Sequence, residues 1–211
     1  MTTYRHDGFV TTGARPFRYD SFPMRLFQKA KKLGVWDPAD IDFTPDRELW
    51  LNEATEADRD GMLRIVSSFQ AGEEAVTLDL LPLIQAVAQE GRIEDEMYLT
   101  TFLFEEAKHV EFFHRWFREV PQVDLSTLGE LHSPNYRKIF YEELPQALGV
   151  LRDDPSPANQ LRASVTYNMI VEGVLAETGY FLFDLGAQLR GEDIMTGMRQ
   201  GIQKLRQDES R

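Results

Sequence analysis

The run Leu99-Thr100-Thr101-Phe102-Leu103-Phe104-Glu105-Glu106-Ala107-Lys108-His109-Val110-Glu111-Phe112-Phe113 is the stretch on which the fold turns. At helical spacing Leu99, Phe102, Leu103, Val110 and Phe113 surround Glu106 on one apolar face. His109 follows one turn later and faces the same way, because residues i and i+3 are neighbours on a helix. A charged residue on a buried stripe is costly unless something compensates it. The spacing therefore predicts a helix from roughly Ile93 to Glu119, ended by Pro121, that presents a Glu-x-x-His inward.

The same test finds two further carboxylates. Glu73 shares its face with Val66, Phe69, Val76 and Leu80, and Glu172 sits in the apolar run Met169-Ile170-Val171-Glu172-Gly173-Val174-Leu175. Glu74, Glu105 and Glu177 stand close by as alternatives. Like charges gathered in a low-dielectric core repel strongly or take up protons. Metal cations resolve that conflict, and oxygen-plus-imidazole ligation suits iron and manganese. A two-metal carboxylate bundle takes one Glu from each of two helices and a Glu-x-x-His from each of two others. Glu73 and Glu172 fill the single-Glu roles, and Glu106 with His109 fills one pair. The second pair is expected on the last helix, where Gln207-Asp208-Glu209-Ser210-Arg211 closes the sequence. Glu209 is placed to begin it. The protein is accordingly expected to continue past Arg211 with a His, the given sequence stopping inside the last metal-bearing helix. His6 and His132 read as loop residues, and His114 as a helix-surface or interface residue.

Working outward, residues 1 to about 52 read as an irregular segment punctuated by Gly13, Pro16, Pro23, Gly34, Pro38 and Pro45. Short helical pieces such as Phe22 to Lys32 fit within it, with Lys29, Lys31 and Lys32 as a solvated helix end. Thr55-Glu56-Ala57-Asp58 supplies an N-cap and an acidic first turn for a helix running to about Gln89, stopped by Gly91 and distorted near Pro82. Later helices are expected from Pro134 to Leu151, kinked at Pro145, and from about Ala158 to Leu189. A fifth starts at Gly191-Glu192-Asp193. No strand alternation or internal repeat competes with this pattern. The expected fold is all-α, one helical domain over 1–211, with a metal-binding bundle over 53–211.

Bulk properties narrow the chemistry. The chain's 211 residues suffice for a full apolar core, and 27% charged with 42% hydrophobic residues is ordinary globular composition. A net charge of -12 disfavours nucleic acid and anionic lipid as partners. The absence of cysteine removes disulfides, thiolate nucleophiles and iron–sulfur clusters, so a metal must be held by nitrogen and oxygen. Met1 to Val10 carries no secretory signal, and no apolar run approaches the roughly 20 residues of a transmembrane helix. A cytoplasmic location is expected.

Three runs then carry a family resemblance: Phe69-Gln70-Ala71-Gly72-Glu73-Glu74-Ala75-Val76-Thr77, Phe104-Glu105-Glu106-Ala107-Lys108-His109 and Tyr167-Asn168-Met169-Ile170-Val171-Glu172-Gly173. With Gly8-Phe9-Val10-Thr11-Thr12 they resemble the ligand-binding oxidases related to the ribonucleotide reductase small subunit, over nearly the whole sequence. The resemblance implies a ferritin-like homodimer with a mixed manganese–iron centre, a di-iron pair being the alternative content. It assigns Glu73, Glu106 and His109 to manganese. Glu106 would bridge to iron, which Glu172, Glu209 and the expected His complete. It further implies an ether bond between a tyrosine oxygen and a valine β-carbon, formed during O2 activation, at positions matching Tyr167 and Val76. Read without the resemblance, these are a buried hydrogen-bonded phenol and core filler. The implied activity is two-electron oxidation by O2 at an unactivated C–H bond, with a long-chain fatty acid or similar aliphatic ligand. Phe69, Phe102, Val110 and Phe113 are the expected apolar lining. The alternative is a manganese–iron ribonucleotide reductase small subunit that generates a radical. Such subunits usually keep a tyrosine four residues after the first His ligand, where this sequence has Phe113, so no conventional stored tyrosyl radical is expected.

Overall fold

The computed structural model describes residues 5–190 and 194–210. Two helices precede the long ones: α1 (Phe22–Leu33) and α2 (Thr44–Asn52). α1 is the short helix expected at Phe22 to Lys32, whereas α2 was not singled out within the segment up to residue 52. Pro23 and Pro45 occupy first turns, where a missing N–H is one of the helix's orphan donors anyway, so they start helices rather than break them. α1 buries Met24, Leu26 and Ala30 and ends with Lys31 and Lys32 in its last turn, where cations suit the helix dipole.

α3 (Glu56–Gln89) opens on a reciprocal cap: the Asp58 amide donates to the Thr55 hydroxyl at 3.2 Å, and the Thr55 amide donates to the Asp58 carboxylate at 3.1 Å. It closes at Gly91, whose φ of 67° only glycine adopts freely. There the Gly91 and Arg92 amides turn back to the carbonyls of Ala88 and Val87. The helix is unbroken at Pro82, the lost backbone bond being absorbed within a 34-residue run. α4 (Ile93–Glu119) returns along α3 after the 90–92 turn, and α1 lies across it.

A 3-10 stretch (Leu125–Leu131) leads to α5 (Pro134–Arg137), a π-helical segment (Lys138–Glu143) and α6 (Leu144–Gly149). The single helix expected here is thus wider before Pro145, which starts α6. α7 (Pro157–Ser164), a second π segment (Val165–Ala176) and α8 (Glu177–Arg190) follow. α9 (Thr196–Glu209) packs on α1, α2, α4 and α8. The start expected at Gly191-Glu192-Asp193 lies outside the described residues. No strand occurs among the described residues, as the all-α reading required.

Apolar side chains collect in two clusters. One gathers Val66, Phe112, Phe113, Trp116, Tyr180 and Ile202, with Phe69 against it. The other gathers Val76, Leu80, Leu148, Tyr167 and Val171, with Phe102 against it. Along α3 the change of cluster falls between Phe69 and Val76, and along α4 between Phe102 and Phe112. Glu73, Glu106 and His109 occupy that seam.

Candidate metal centre

Glu73 from α3 and Glu106 with His109 from α4 are all buried, Glu106 to 0% exposure. One ligand-type atom from each lies within 4.8 Å of the others, and the same holds for Glu106, Glu172 and Glu209. Glu106 belongs to both groups. His109 Nδ1 stands 3.4 Å from Glu73 Oε2, 3.4 Å from Glu106 Oε2 and 3.5 Å from Glu209 Oε1. Yet Nδ1, Glu106 Oε2 and Glu209 Oε1 are buried without a hydrogen-bond partner. Leaving such atoms unsatisfied costs about 1–3 kcal/mol each, and three that converge fit a cation bound by oxygen and imidazole. Glu74, Glu177 and His114 are exposed, whereas Glu105 is buried but outside both groups.

Electrostatics tell the same story. Burial, reinforced by Glu73 and opposed by His109, pushes Glu106 up to about 7. Burial and the charge of Glu209 raise Glu172 well above the carboxylate range, and burial with Glu106 does the same to Glu209. Burial disfavours a charged His109, but its contacts with Asp208, Glu106 and Glu73 outweigh that and hold it well above its ordinary value. Without cations this cluster retains protons, which metal binding releases.

Behind His109 lies a polar support absent from the sequence reading. Asp208 Oδ2 sits 3.4 Å from His109 Nε2, and accepts from Trp36 Nε1 at 2.7 Å and Lys108 Nζ at 3.1 Å. Lys108 also donates to the Gly34 carbonyl at 2.9 Å and stands 4.6 Å over the Trp36 ring. With an anion at Nε2, the neutral imidazole keeps its proton there, so loss of the second proton frees the Nδ1 lone pair towards the carboxylates.

Tyr167 and Val76 lie in the same buried cluster. The Tyr167 hydroxyl donates to Glu106 Oε1 at 3.3 Å, and burial followed by the Glu106 charge keeps it a phenol. Tyr167 and Glu172 are five residues apart within the second π segment, whose i→i+5 hydrogen bonds bring that spacing towards one side. Tyr180 was not singled out from the sequence. Its hydroxyl is fully buried without a hydrogen-bond partner, and its ring stacks 5.3 Å from Phe69. Burial, followed by the charges of Glu73 and Glu209, pushes its pKa well above the ordinary phenol value.

A cavity of about 580 Å³ opens beside Glu73 and Glu172, walled by Phe69, Gly72, Val76, Phe140, Val171 and Leu175. Of the four lining residues expected, only Phe69 is there. Phe102 packs edge-on against Tyr167 and Phe113 stacks on Phe69, because the cavity lies on the side of α3 facing α5 and the π segments rather than α4. His132, read as a plain loop residue, is buried and joins the Tyr141 hydroxyl (3.0 Å) to the Ser67 carbonyl (3.2 Å), tying the 3-10 stretch to α3.

No protein-family model matches the chain. Solved structures do. A tyrosine-to-phenylalanine variant of an R2-like ligand-binding oxidase with aerobically reconstituted Mn/Fe cofactor is 44% identical over 98% of this chain and 74% of its own, with a TM-score of 0.89. A long-soaked R2-like ligand-binding oxidase with the same cofactor matches at 44% identity over 98% of this chain and 70% of its own, TM-score 0.89. A valine-to-alanine variant with anaerobically reconstituted Mn/Fe cofactor gives 44% over 98% and 74%, again at 0.89.

Proposed function

The chain belongs to the R2-like ligand-binding oxidase family, and we propose that Glu73, Glu106, His109, Glu172 and Glu209 hold its manganese–iron centre. The observation that carries this reading is the convergence of buried, unpartnered His109 Nδ1, Glu106 Oε2 and Glu209 Oε1. Glu73, Glu106 and His109 would hold the manganese, and Glu106, Glu172 and Glu209 would hold the iron. When bound, the metal pair supplies open coordination positions at which O2 is reduced. The protein fixes the ligands, keeps Nδ1 free by anchoring Nε2, and excludes water with the two apolar clusters.

Within that setting Tyr167 and Val76 are the residues that react. A bond forms between Tyr167 Oη and Val76 Cβ while the phenolic O–H and the Cβ–H bonds break, and the two electrons and two protons released reduce O2, the phenolic proton leaving by way of Glu106. Glu106 Oε1 is the acceptor positioned for the phenolic proton. The apolar cavity, within the roughly 300–1,000 Å³ usual for ligand sites, supports a long-chain fatty acid or a similar aliphatic ligand. The functional unit is a homodimer, testable by sedimentation.

Loading the metal-free protein with manganese and iron in air tests the reading. Metal analysis should give equal manganese and iron, with both lost from Glu106→Ala. Intact mass should fall by two hydrogens, and peptide mapping should join the peptides of Val76 and Tyr167. An uncrosslinked protein that supports nucleotide reduction with a large subunit would instead favour the radical-generating reductase role.

A further inference from the structure

His132 joins two tyrosines to α3. Its Nε2 lies 3.2 Å from the Ser67 carbonyl oxygen, which can only accept, so the ring hydrogen sits on Nε2. Burial, with the charge of Arg137 behind it, holds the His132 pKa below its ordinary value, and the imidazole is neutral. Nδ1 therefore carries a lone pair, to which the Tyr141 hydroxyl donates at 3.0 Å. A phenol in contact with an uncharged base is set up for oxidation. Loss of an electron turns the phenol into a strong acid, and a base within hydrogen-bond reach takes the proton as the electron leaves.

Tyr141 is 49% exposed, so this pair stands at the surface. Aromatic rings run inward from it. The His132 ring centroid is 6.0 Å from that of Tyr141 and 4.6 Å from that of Tyr136. Tyr136 reaches the backbone beside a proposed ligand, because a β-carbon on Gly72, the residue before Glu73, would stand 3.6 Å from its hydroxyl oxygen. After burial and Tyr141, the charge of Glu73 also helps to keep Tyr136 a phenol. Tyr136 donates to the Ser68 carbonyl at 2.6 Å. A carbonyl cannot take its proton, so Tyr136 can conduct an electron but has no base with which to store a radical.

We infer that Tyr141, paired with His132 and connected through the Tyr136 ring, is a one-electron outlet of the metal centre, used when Tyr167 has no O–H left to give. The inference rests on the reading that Glu73 holds a metal. In the step, the metal pair, once oxidised by O2, gains one electron from Tyr141. The Tyr141 O–H bond breaks, the proton passes to His132 Nδ1, and a neutral tyrosyl faces an imidazolium. The buried Tyr167 and Val76 serve the two-electron reaction, and the exposed pair serves the single oxidising equivalent that would otherwise attack the site.

The test uses the full chain with Tyr167→Phe, loaded with manganese and iron in air and frozen at successive times for electron paramagnetic resonance. A transient organic radical should appear, and ring-deuterated tyrosine should narrow its spectrum. Tyr141→Phe should abolish the signal. His132→Gln, which loses the base, should slow its appearance by about a hundredfold, and Tyr136→Leu, which removes the intervening ring, should delay it. Metal content and melting temperature, measured alongside, show that these variants are folded and loaded. No organic radical, one that ignores the tyrosine label and so lies on Trp36, whose ring is 6.3 Å from that of His109, or one untouched by these substitutions would overturn the inference and leave the metal site standing. A protein that takes up neither metal would overturn that reading and the inference with it.

Discussion

Asp208 Oδ2 gathers Trp36 Nε1, Lys108 Nζ and His109 Nε2 around one oxygen. Because it holds the tautomer and angle of a proposed ligand without touching the metal, Asp208→Ala should weaken manganese binding by about 10–100-fold. Titration of the metal-free protein with Mn(II) measures this, and an unchanged affinity would show that His109 is oriented by something else. Tyr167→Phe should load metals as wild type does yet lose no hydrogens in air, as read by intact mass. The carboxylates were legible in sequence because a charge among apolar i±3 and i±4 neighbours contradicts the usual cost of burial. Glu73 stands out from Glu74 on that ground, and the structure buries the first and exposes the second. Asp208, Trp36 and Tyr180 were illegible for the opposite reason. Trp36 and Asp208 acquire meaning only by meeting across the fold, and Tyr180 reads as ordinary helix content.

Helix ends set by local chemistry were readable: the Thr55 cap, the Gly91 stop, and the Ile93 to Glu119 span of α4. The π segments were not, since a shift to i→i+5 bonding leaves no mark in composition or capping residues. Nor was the cap of α9, which comes from another helix. Asp46 of α2 accepts the Gly197 and Met198 amides, each at 2.8 Å. Asp46→Ala should cost about 0.5–2 kcal/mol and speed hydrogen exchange in α9, the helix that carries Asp208 and Glu209. At Gly179 the close approach of the Phe69 ring leaves no room for a methyl group. Gly179→Ala should destabilise by about 1–3 kcal/mol through overpacking, visible as a lowered midpoint in urea.

Across the whole molecule, the amino-terminal segment is pinned to α4 by Glu94, which is fully buried and accepts from Arg15 Nη2 at 2.7 Å and the Arg18 amide at 2.9 Å. Burial alone would raise its pKa, but the Arg18 amide, its own amide and the Arg15 guanidinium outweigh it and bring Glu94 to about 2. A depressed carboxylate stabilises the fold above its unfolded value of 4.5, and that contribution disappears as pH falls through about 2. Glu94→Gln should therefore flatten the acid limb of the melting-temperature profile between those values. No described helix is long and apolar enough to cross a membrane. The seam where one apolar cluster gives way to the other also governs how the protein comes apart. Buried carboxylates that must take up protons to avoid repulsion form a costly joint, so the two clusters are expected to melt as separate cooperative units in the metal-free protein. Cations bind only while both units hold their ligands in place, and ligand binding stabilises whatever state it selects. Calorimetry should accordingly resolve two transitions in the metal-free protein and a single, later one after loading, with the metal pair acting as the rivet that turns two melting bodies into one.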